Sequence, residues 1–249
     1  MKHSLKNRIA RQSPLVGTLV TLPSPEIAEI LCSAGFDWLF VDLEHSALGI
    51  KDAQALLQAA NPQVECVIRV PLNDEVWIKK SLDIGVSGIV VPQIQTAEEA
   101  ARAVRWCKYP PEGSRSAGIA RAQGYGAHFK TYVESANAET AIILQIEHIM
   151  AIQNMESIAS IPGIDCLFIG PYDLSVSMGK TGLVNDPEVQ DAISKIKKCA
   201  DKANIPTGIF GANPEAVKPY VEEGYTLIAV GIDTMILGEA AKKIADASR

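Results

Sequence analysis

Residues 82–107 read LDIGVSGIVVPQIQTAEEAARAVRWC and hold one complete turn of the chain's rhythm. Gly85 closes a preceding helical pattern, as glycine does just beyond a helix end. The run Gly88–Gln93 is nearly continuous in apolar and β-branched residues, which suits a parallel strand covered on both faces. Thr96 then offers an N-cap hydroxyl with Glu98 and Glu99 in the first turn, ahead of a helical pattern that ends at Cys107.

Outward from this unit the same alternation recurs. The spacing predicts strands at Val16–Thr21, Trp38–Glu44, Cys66–Val70, Gly88–Gln93, Ala141–Glu147, Cys166–Gly170, Thr207–Gly211 and Leu227–Gly231. Helical patterns fall at Pro25–Ala34, Asp74–Ile84, Thr96–Cys107, Pro187–Ala203, Asn213–Glu223 and Asp233–Ala247. Eight βα units without a compositional break predict an α/β fold, a single (β/α)8 barrel domain over residues 1–249, a length at which such barrels commonly occur. An open doubly wound sheet is the alternative. Two stretches break the rhythm: a Gly-, Pro- and Arg-rich loop over residues 109–137, and an extension over 172–186. Long ordered insertions of this kind serve as lids or interface arms.

Apolar residues make up 47% of the 249, enough for a sizeable core, and the formal charge is −6. That balance argues against a nucleic-acid partner, whose phosphates require a basic patch. Residues 1–13, MKHSLKNRIARQS, carry no apolar leader, and no run of about 18 apolar residues follows, so the expectation is a cytoplasmic protein without a membrane span. Five cysteines at wide spacing, with no CxxC pair, read as reduced and mostly buried thiols.

Polar residues collect at the predicted carboxyl ends of strands, where barrel enzymes carry their chemistry. These are Asp42-Leu43-Glu44-His45, Arg69, Gln93, Gln145-Ile146-Glu147 and Gly170-Pro171-Tyr172-Asp173. An ionised group inside an apolar strand is costly unless it is paired or bound to something. Glu147 and Asp173 end neighbouring strands and suit a hard divalent cation, Mg²⁺, Mn²⁺ or Co²⁺, with substrate oxygens and waters completing its shell. His148 begins a helix and is read as pointing away. His45 is the natural proton carrier at neutral pH, with Asp42 and Asp83 as candidate carboxylates to orient its ring. Arg69 offers a fixed fork for a carboxylate or an enolate oxygen. Strand lysines are absent, which argues against a Schiff-base aldolase.

The segments FDWLFVDLEHSALG, VIRVP, LDIGVSGIVVPQIQTAEEA, YPPEGSR, QIEH and FIGPYDLSVSMG resemble, in order and spacing, the HpcH/HpaI aldolase family. The resemblance runs from about Gly17 to Gly238 and is to the small, metal-dependent members of the 4-hydroxy-2-oxo-heptanedioate and 2-keto-3-deoxy-sugar-acid type, enzymes of aromatic or sugar-acid catabolism. It implies a (β/α)8 barrel in a homo-oligomer, a hexamer or trimer, and metal at Glu147 and Asp173. It also implies His45 as base, its basicity raised by Asp83, and Arg69 as stabiliser of the transition state. Gln145, Gly170, Pro171 and Asp173 would contact pyruvate. Ser116 departs from the glycine usual after Arg115, which bears on the loop and on the aldehyde half of the pocket. The expected activity is reversible cleavage of 4-hydroxy-2-oxo acids to pyruvate and an aldehyde through a metal-bound pyruvate enolate. The alternatives are an oxaloacetate decarboxylase or another pyruvate-enolate enzyme on the same barrel, and a non-catalytic barrel that binds an acid ligand. The terminal helix, Asp233–Ala247, is read either as covering its own barrel or as reaching a neighbouring subunit. Arg115, Arg121 and Tyr125 are read as loop residues reaching a neighbour's active site.

Overall fold

The structure, a computed structural model, describes residues 4–60 and 64–249, so residues 1–3 of the amino-terminal stretch lie outside the described residues. Among the described residues the strands are β1 (Leu15–Val20), β2 (Trp38–Asp42), β3 (Glu65–Arg69), β4 (Gly88–Val91), β5 (Ala141–Ile146), β6 (Cys166–Ile169), β7 (Thr207–Gly211) and β8 (Leu227–Ile232). The helices are α1 (Leu5–Ile9), α2 (Pro25–Ser33), α3 (Ile50–Ala60), α4 (Glu75–Asp83), α5 (Ala97–Cys107), α6 (Phe129–Glu139), α7 (Ile149–Gln153), α8 (Met155–Ala159), α9 (Pro171–Ser177), α10 (Pro187–Lys202), α11 (Pro214–Glu222) and α12 (Asp233–Ala247). All strand pairs are parallel and follow chain order, with β8 returning to β1 to close the barrel. Each expected strand is present to within two residues at either end.

Alternation along the strands decides what lies inside. Trp38 and Phe40 of β2 point into the barrel with Leu15 and Leu19 of β1, Val67 of β3, Val90 of β4, Ala141 and Ile143 of β5, and Phe168 of β6. Leu39, Val41 and Ile68 point outward into a second, larger core beneath the helices. The barrel is therefore a packed interior, and Phe40 meets Phe168 edge-on across it at 5.5 Å. Gly17 makes room for the Trp38 indole: a Cβ there would lie 2.5 Å from its ring. The same parity carries Asp42 inward after Phe40, Arg69 after Val67, Gln145 and Glu147 after Ile143, and Gly170 after Phe168.

Helices α1, α3, α6, α8 and α9 were not foreseen in the sequence, and α12 departs from one of its two readings. Short α1, capped by Ser4, buries Leu5 and Ile9 completely against the barrel interior. The 109–137 loop contains most of α6, packed against α1. Helix α12 does not cover its own barrel: from Thr234 onward every residue is exposed, including Met235, Ile236, Leu237 and Ile244. It leaves Val16 on the outer face of β1 and Ile30 on α2 open as well. No described helix is long and apolar enough to cross a membrane.

Candidate active site

Where the strands end, inward parity gathers the polar residues around one cavity of about 190 Å³. Asp42, His45, Arg69, Gln145, Gly170, Pro171 and Asp173 all line it. A larger open groove of about 600 Å³ runs between α8 and α10, but its polar residues, Lys195, Lys198 and Lys202 among them, sit on the helix surface. The smaller cavity is the one at the carboxyl ends of the strands, where barrel enzymes act.

Asp42 and Arg69 form the fixed frame. Arg69 donates from Nε to Asp42 Oδ1 at 2.8 Å and from Nη2 to Oδ2 at 2.7 Å, a bidentate pair. Asp42 also accepts the amides of Glu44 and His45 at 3.0 and 3.4 Å. Burial alone would raise the Asp42 carboxyl, but these bonds and the Arg69 charge hold it below the usual carboxylate range. Burial likewise opposes the Arg69 cation, and the Asp42 pair with the nearby Glu44 and Glu147 charges more than offset it. Phe40 lies beneath the guanidinium at 5.4 Å.

Glu147 follows β5 and is 1% exposed. Its Oε1 accepts the Gln93 amide at 2.8 Å, and Gln145 Nε2 donates to its Oε2. To aim that amide inward, Gln93 takes a left-handed backbone, φ 57°, an uncommon conformation for a side-chain-bearing residue. Burial pushes the Glu147 carboxyl up, and the charge of Asp173 in the first turn of α9 pushes the same way. Gly170 approaches so closely that a Cβ there would lie 2.7 Å from Glu147 Oε2.

Sequence reasoning did not assign a role to Glu44, although its parity with Asp42 was the available signal. Its Oε2 lies 3.2 Å from Arg69 Nε and 3.8 Å from His45 Nε2. Burial and the neighbouring Glu147, Asp42 and Asp173 charges push its carboxyl up to about 8, against the pull of Arg69. The carboxylate facing the His45 ring is thus Glu44, whereas Asp42 contacts His45 only through its backbone. Sequence reasoning likewise gave no role to the Gln93 amide, because a left-handed residue after a strand leaves no mark in composition.

Asp83 does not join the cluster within this chain. It ends α4, at the pole where β4 begins and opposite His45, and its Oδ1 accepts from Arg115 Nη2 at 2.9 Å. Arg115, 2% exposed, lies over the rings of Tyr109 and Tyr132 at 4.5 and 5.6 Å. Arg121 donates to the Ile84 carbonyl at 2.6 Å. Both arginines pin the insertion to its own barrel rather than projecting from it, and Tyr125 alone of the three stays exposed. His148 caps α7, its Nδ1 accepting the Met150 amide at 3.1 Å, so it is turned to the backbone as expected.

The donor set fits a hard divalent cation. Asp42, Glu44 and Glu147 gather near the Arg69 guanidinium with Asp173 close by, and burial, together with the repulsion among these carboxylates, pushes Glu44 and Glu147 up. The buried Gln145 Oε1 and Glu44 Oε2 have no hydrogen-bond partner among the described residues. Among those residues no three His, Cys, Asp or Glu side chains form a ready-made cage, so Glu147 and Asp173 would hold such an ion together with oxygens from substrate and water.

A closed parallel barrel with a carboxylate-rich cavity at its carboxyl end defines the class as a barrel enzyme. Comparison narrows it: residues 16–240 match the HpcH/HpaI aldolase/citrate lyase family, and the chain belongs to it. The chain is 40% identical over 247 residues to a hydroxypyruvate/pyruvate aldolase of Paraburkholderia phytofirmans, covering 96% of this chain and 95% of that one. It is also 40% identical over 242 residues to a 2-dehydro-3,6-dideoxy-6-sulfogluconate aldolase of Pseudomonas putida, covering 95% and 93%. The solved structure of a HpcH/HpaI aldolase/citrate lyase family protein from Burkholderia cenocepacia superposes with a TM-score of 0.94 at 36% identity, over 98% of both chains.

Proposed function

We propose that this protein is a divalent-metal-dependent aldolase that reversibly cleaves 4-hydroxy-2-oxo acids to pyruvate and an aldehyde. The observation that supports this most is one small cavity lined by Asp173, His45 and the Asp42-locked Arg69, with the buried Glu147 beside it, bonded to the lining residue Gln145. Glu147 and Asp173 would hold Mg²⁺, Mn²⁺ or Co²⁺, and such an ion, when bound, supplies Lewis-acid polarisation of the 2-oxo group.

The chain's own groups do the rest. Asp42 occupies two of the five Arg69 N–H donors and leaves the others to meet charge as it develops on the enolate oxygen. Gln145, turned toward Glu147, and Gly170, which cannot carry a side chain without displacing Glu147, shape the seat of the pyruvate carboxylate. In the synthetic direction His45 takes a proton from the pyruvate methyl, directly or through a water. The methyl carbon then bonds to the aldehyde carbon, and the aldehyde oxygen takes up a proton. Cleavage is the reverse.

The exposed α12 and the exposed Val16 on β1 support a homo-oligomer in which a second copy covers them. A monomeric mass in solution at micromolar concentration would refute this assembly. The activity is tested by pyruvate release from a panel of 4-hydroxy-2-oxo acids and from oxaloacetate, with Mn²⁺ or Mg²⁺ and again with EDTA. The expected result is EDTA-sensitive release from a hydroxy-oxo acid. Release from oxaloacetate alone would make the protein a decarboxylase instead.

A further inference from the structure

The β4–β5 ladder ends with Val91 beside Leu144, and the chain turns just beyond it. Pro92 has no N–H to donate, and Gln93 takes its left-handed backbone, φ 57°. The Gln93 N–H donates to Glu147 Oε1 at 2.8 Å, and the next N–H, that of Ile94, returns to the Gln145 carbonyl at 3.3 Å. Ile94 is buried in the outer core, whereas the Gln93 side chain is exposed. The Gln95 N–H donates to Glu99 Oε2 at 2.8 Å, and the Gln95 carbonyl accepts from Asn154 Nδ2 at 2.9 Å, so the turn is held from both sides. Among the described residues three other side-chain-bearing residues have positive φ, Gln12, Tyr125 and Asn204. Gln12 and Asn204 follow α1 and α10, where a left-handed residue is a usual helix stop, and Tyr125 stands exposed on the insertion. Gln93 follows a strand instead, and its amide ends on a buried carboxylate of the site.

We propose that Gln93 is a positioning residue for the divalent cation: its left-handed backbone, and not its side chain, fixes the Glu147 carboxylate for ligation. The inference rests on the metal-dependent reading above. Gln145 Nε2 donates to Glu147 Oε2, and Gly170 lies against the same oxygen, so the Gln93 N–H is what orders Oε1. Each carboxylate oxygen has two lone pairs, and each keeps one after its bond. A negative φ at Gln93 turns the N–H away from Oε1 and frees the carboxylate to rotate about its last torsion, a soft one. A ligand that must be ordered as the ion binds holds that ion more weakly; loss of such a supporting bond costs about tenfold to a hundredfold in metal affinity. The tolerance of residue 93 for a left-handed backbone therefore sets the affinity. Glycine and asparagine accept that conformation, a β-branched residue resists it, and proline both forbids it and removes the donor.

The test is the Mn²⁺ affinity of the full-length protein, read from the EPR signal of the free ion with and without pyruvate, alongside the Tm of EDTA-treated protein as a measure of folding. Gln93→Gly and Gln93→Asn are expected to bind Mn²⁺ within about threefold of the wild type, because both keep the backbone conformation while changing the side chain. Gln93→Val is expected to bind about tenfold more weakly and Gln93→Pro up to about a hundredfold more weakly. If Gln93→Pro does not fold, Gln93→Val carries the test. Wild-type affinity in a folded Gln93→Val overturns the proposal and leaves the metal-dependent reading intact. A loss in Gln93→Gly and Gln93→Asn as large as that in Gln93→Val also overturns it, by assigning the effect to the side chain. Absence of Mn²⁺ binding by the wild type, with pyruvate present, overturns the metal-dependent reading itself.

Discussion

The two halves of the barrel mouth share one backbone geometry and differ in what parity delivers at the last inward position. From β2 through β6 that position carries Asp42, Arg69, Gln145 with Glu147, and Gly170, each held by a partner within 3.5 Å or fitted against one. From β7 through β1 it carries Phe210, Ile232 and Leu19, which line the cavity with apolar surface. The charged half is costly to build, since burial pushes Glu44 and Glu147 up toward their neutral forms. Such unpaid local electrostatics are expected where charge must be met during a reaction. The apolar half has no such tension, so on the proposed aldolase reading a change there should leave enolate formation unaltered.

That division can be broken most forcefully on the charged side. Glu147→Gln is expected to lower metal-dependent pyruvate release by about a thousandfold while the fold, read by circular dichroism, stays intact. Gly170→Ala drives a Cβ against Glu147 Oε2 and is expected to cost about a hundredfold in kcat, the scale of a displacement of about an ångström. On the other wall, Phe210→Ala is expected to lower kcat/KM for aldehydes by about tenfold yet change exchange of the pyruvate methyl protons with solvent by less than about threefold. A comparable loss in both reactions would erase the distinction between the halves.

A smaller effect concerns stability. The Glu44 carboxyl stands at about 8 in the folded chain against an ordinary value of 4.5, so its ionisation opposes folding. Its contribution is most favourable below about pH 4.5 and is lost progressively as pH rises toward 8. Thermal unfolding of EDTA-treated protein should therefore show a Tm that falls between pH 5 and 8, and Glu44→Gln should flatten that fall. An unchanged slope in the variant would assign the pH dependence elsewhere.

Much of this was legible in the sequence because it rests on period two. The apolar runs at Gly88–Val91 and Ala141–Leu144 fix strands buried on both faces, and the residues following them in step must point inward. Asp42, Arg69, Gln145, Glu147 and Gly170 were found as the residues standing at the carboxyl ends of such strands. What escaped depends on packing between distant segments. Helix α6 buries only Ala136, so its period was too weak to read within a Gly- and Pro-rich loop. The apolar residues of α12 have helical spacing whether they cover their own barrel or another, and only the fold shows them uncovered. Asp83 lies near Arg115 because α5 and the loop after it fold back over the end of α4, a tertiary fact that no spacing encodes.

The central claim is that the charged half alone generates the pyruvate enolate. Its most direct test is exchange of the pyruvate methyl protons with deuterium oxide, followed by NMR without any aldehyde, for the wild type with Mg²⁺, with EDTA, and for Glu147→Gln with Mg²⁺. The account predicts exchange in the first case and background rates in the other two. Exchange that survives both EDTA and the loss of the Glu147 carboxylate would contradict it.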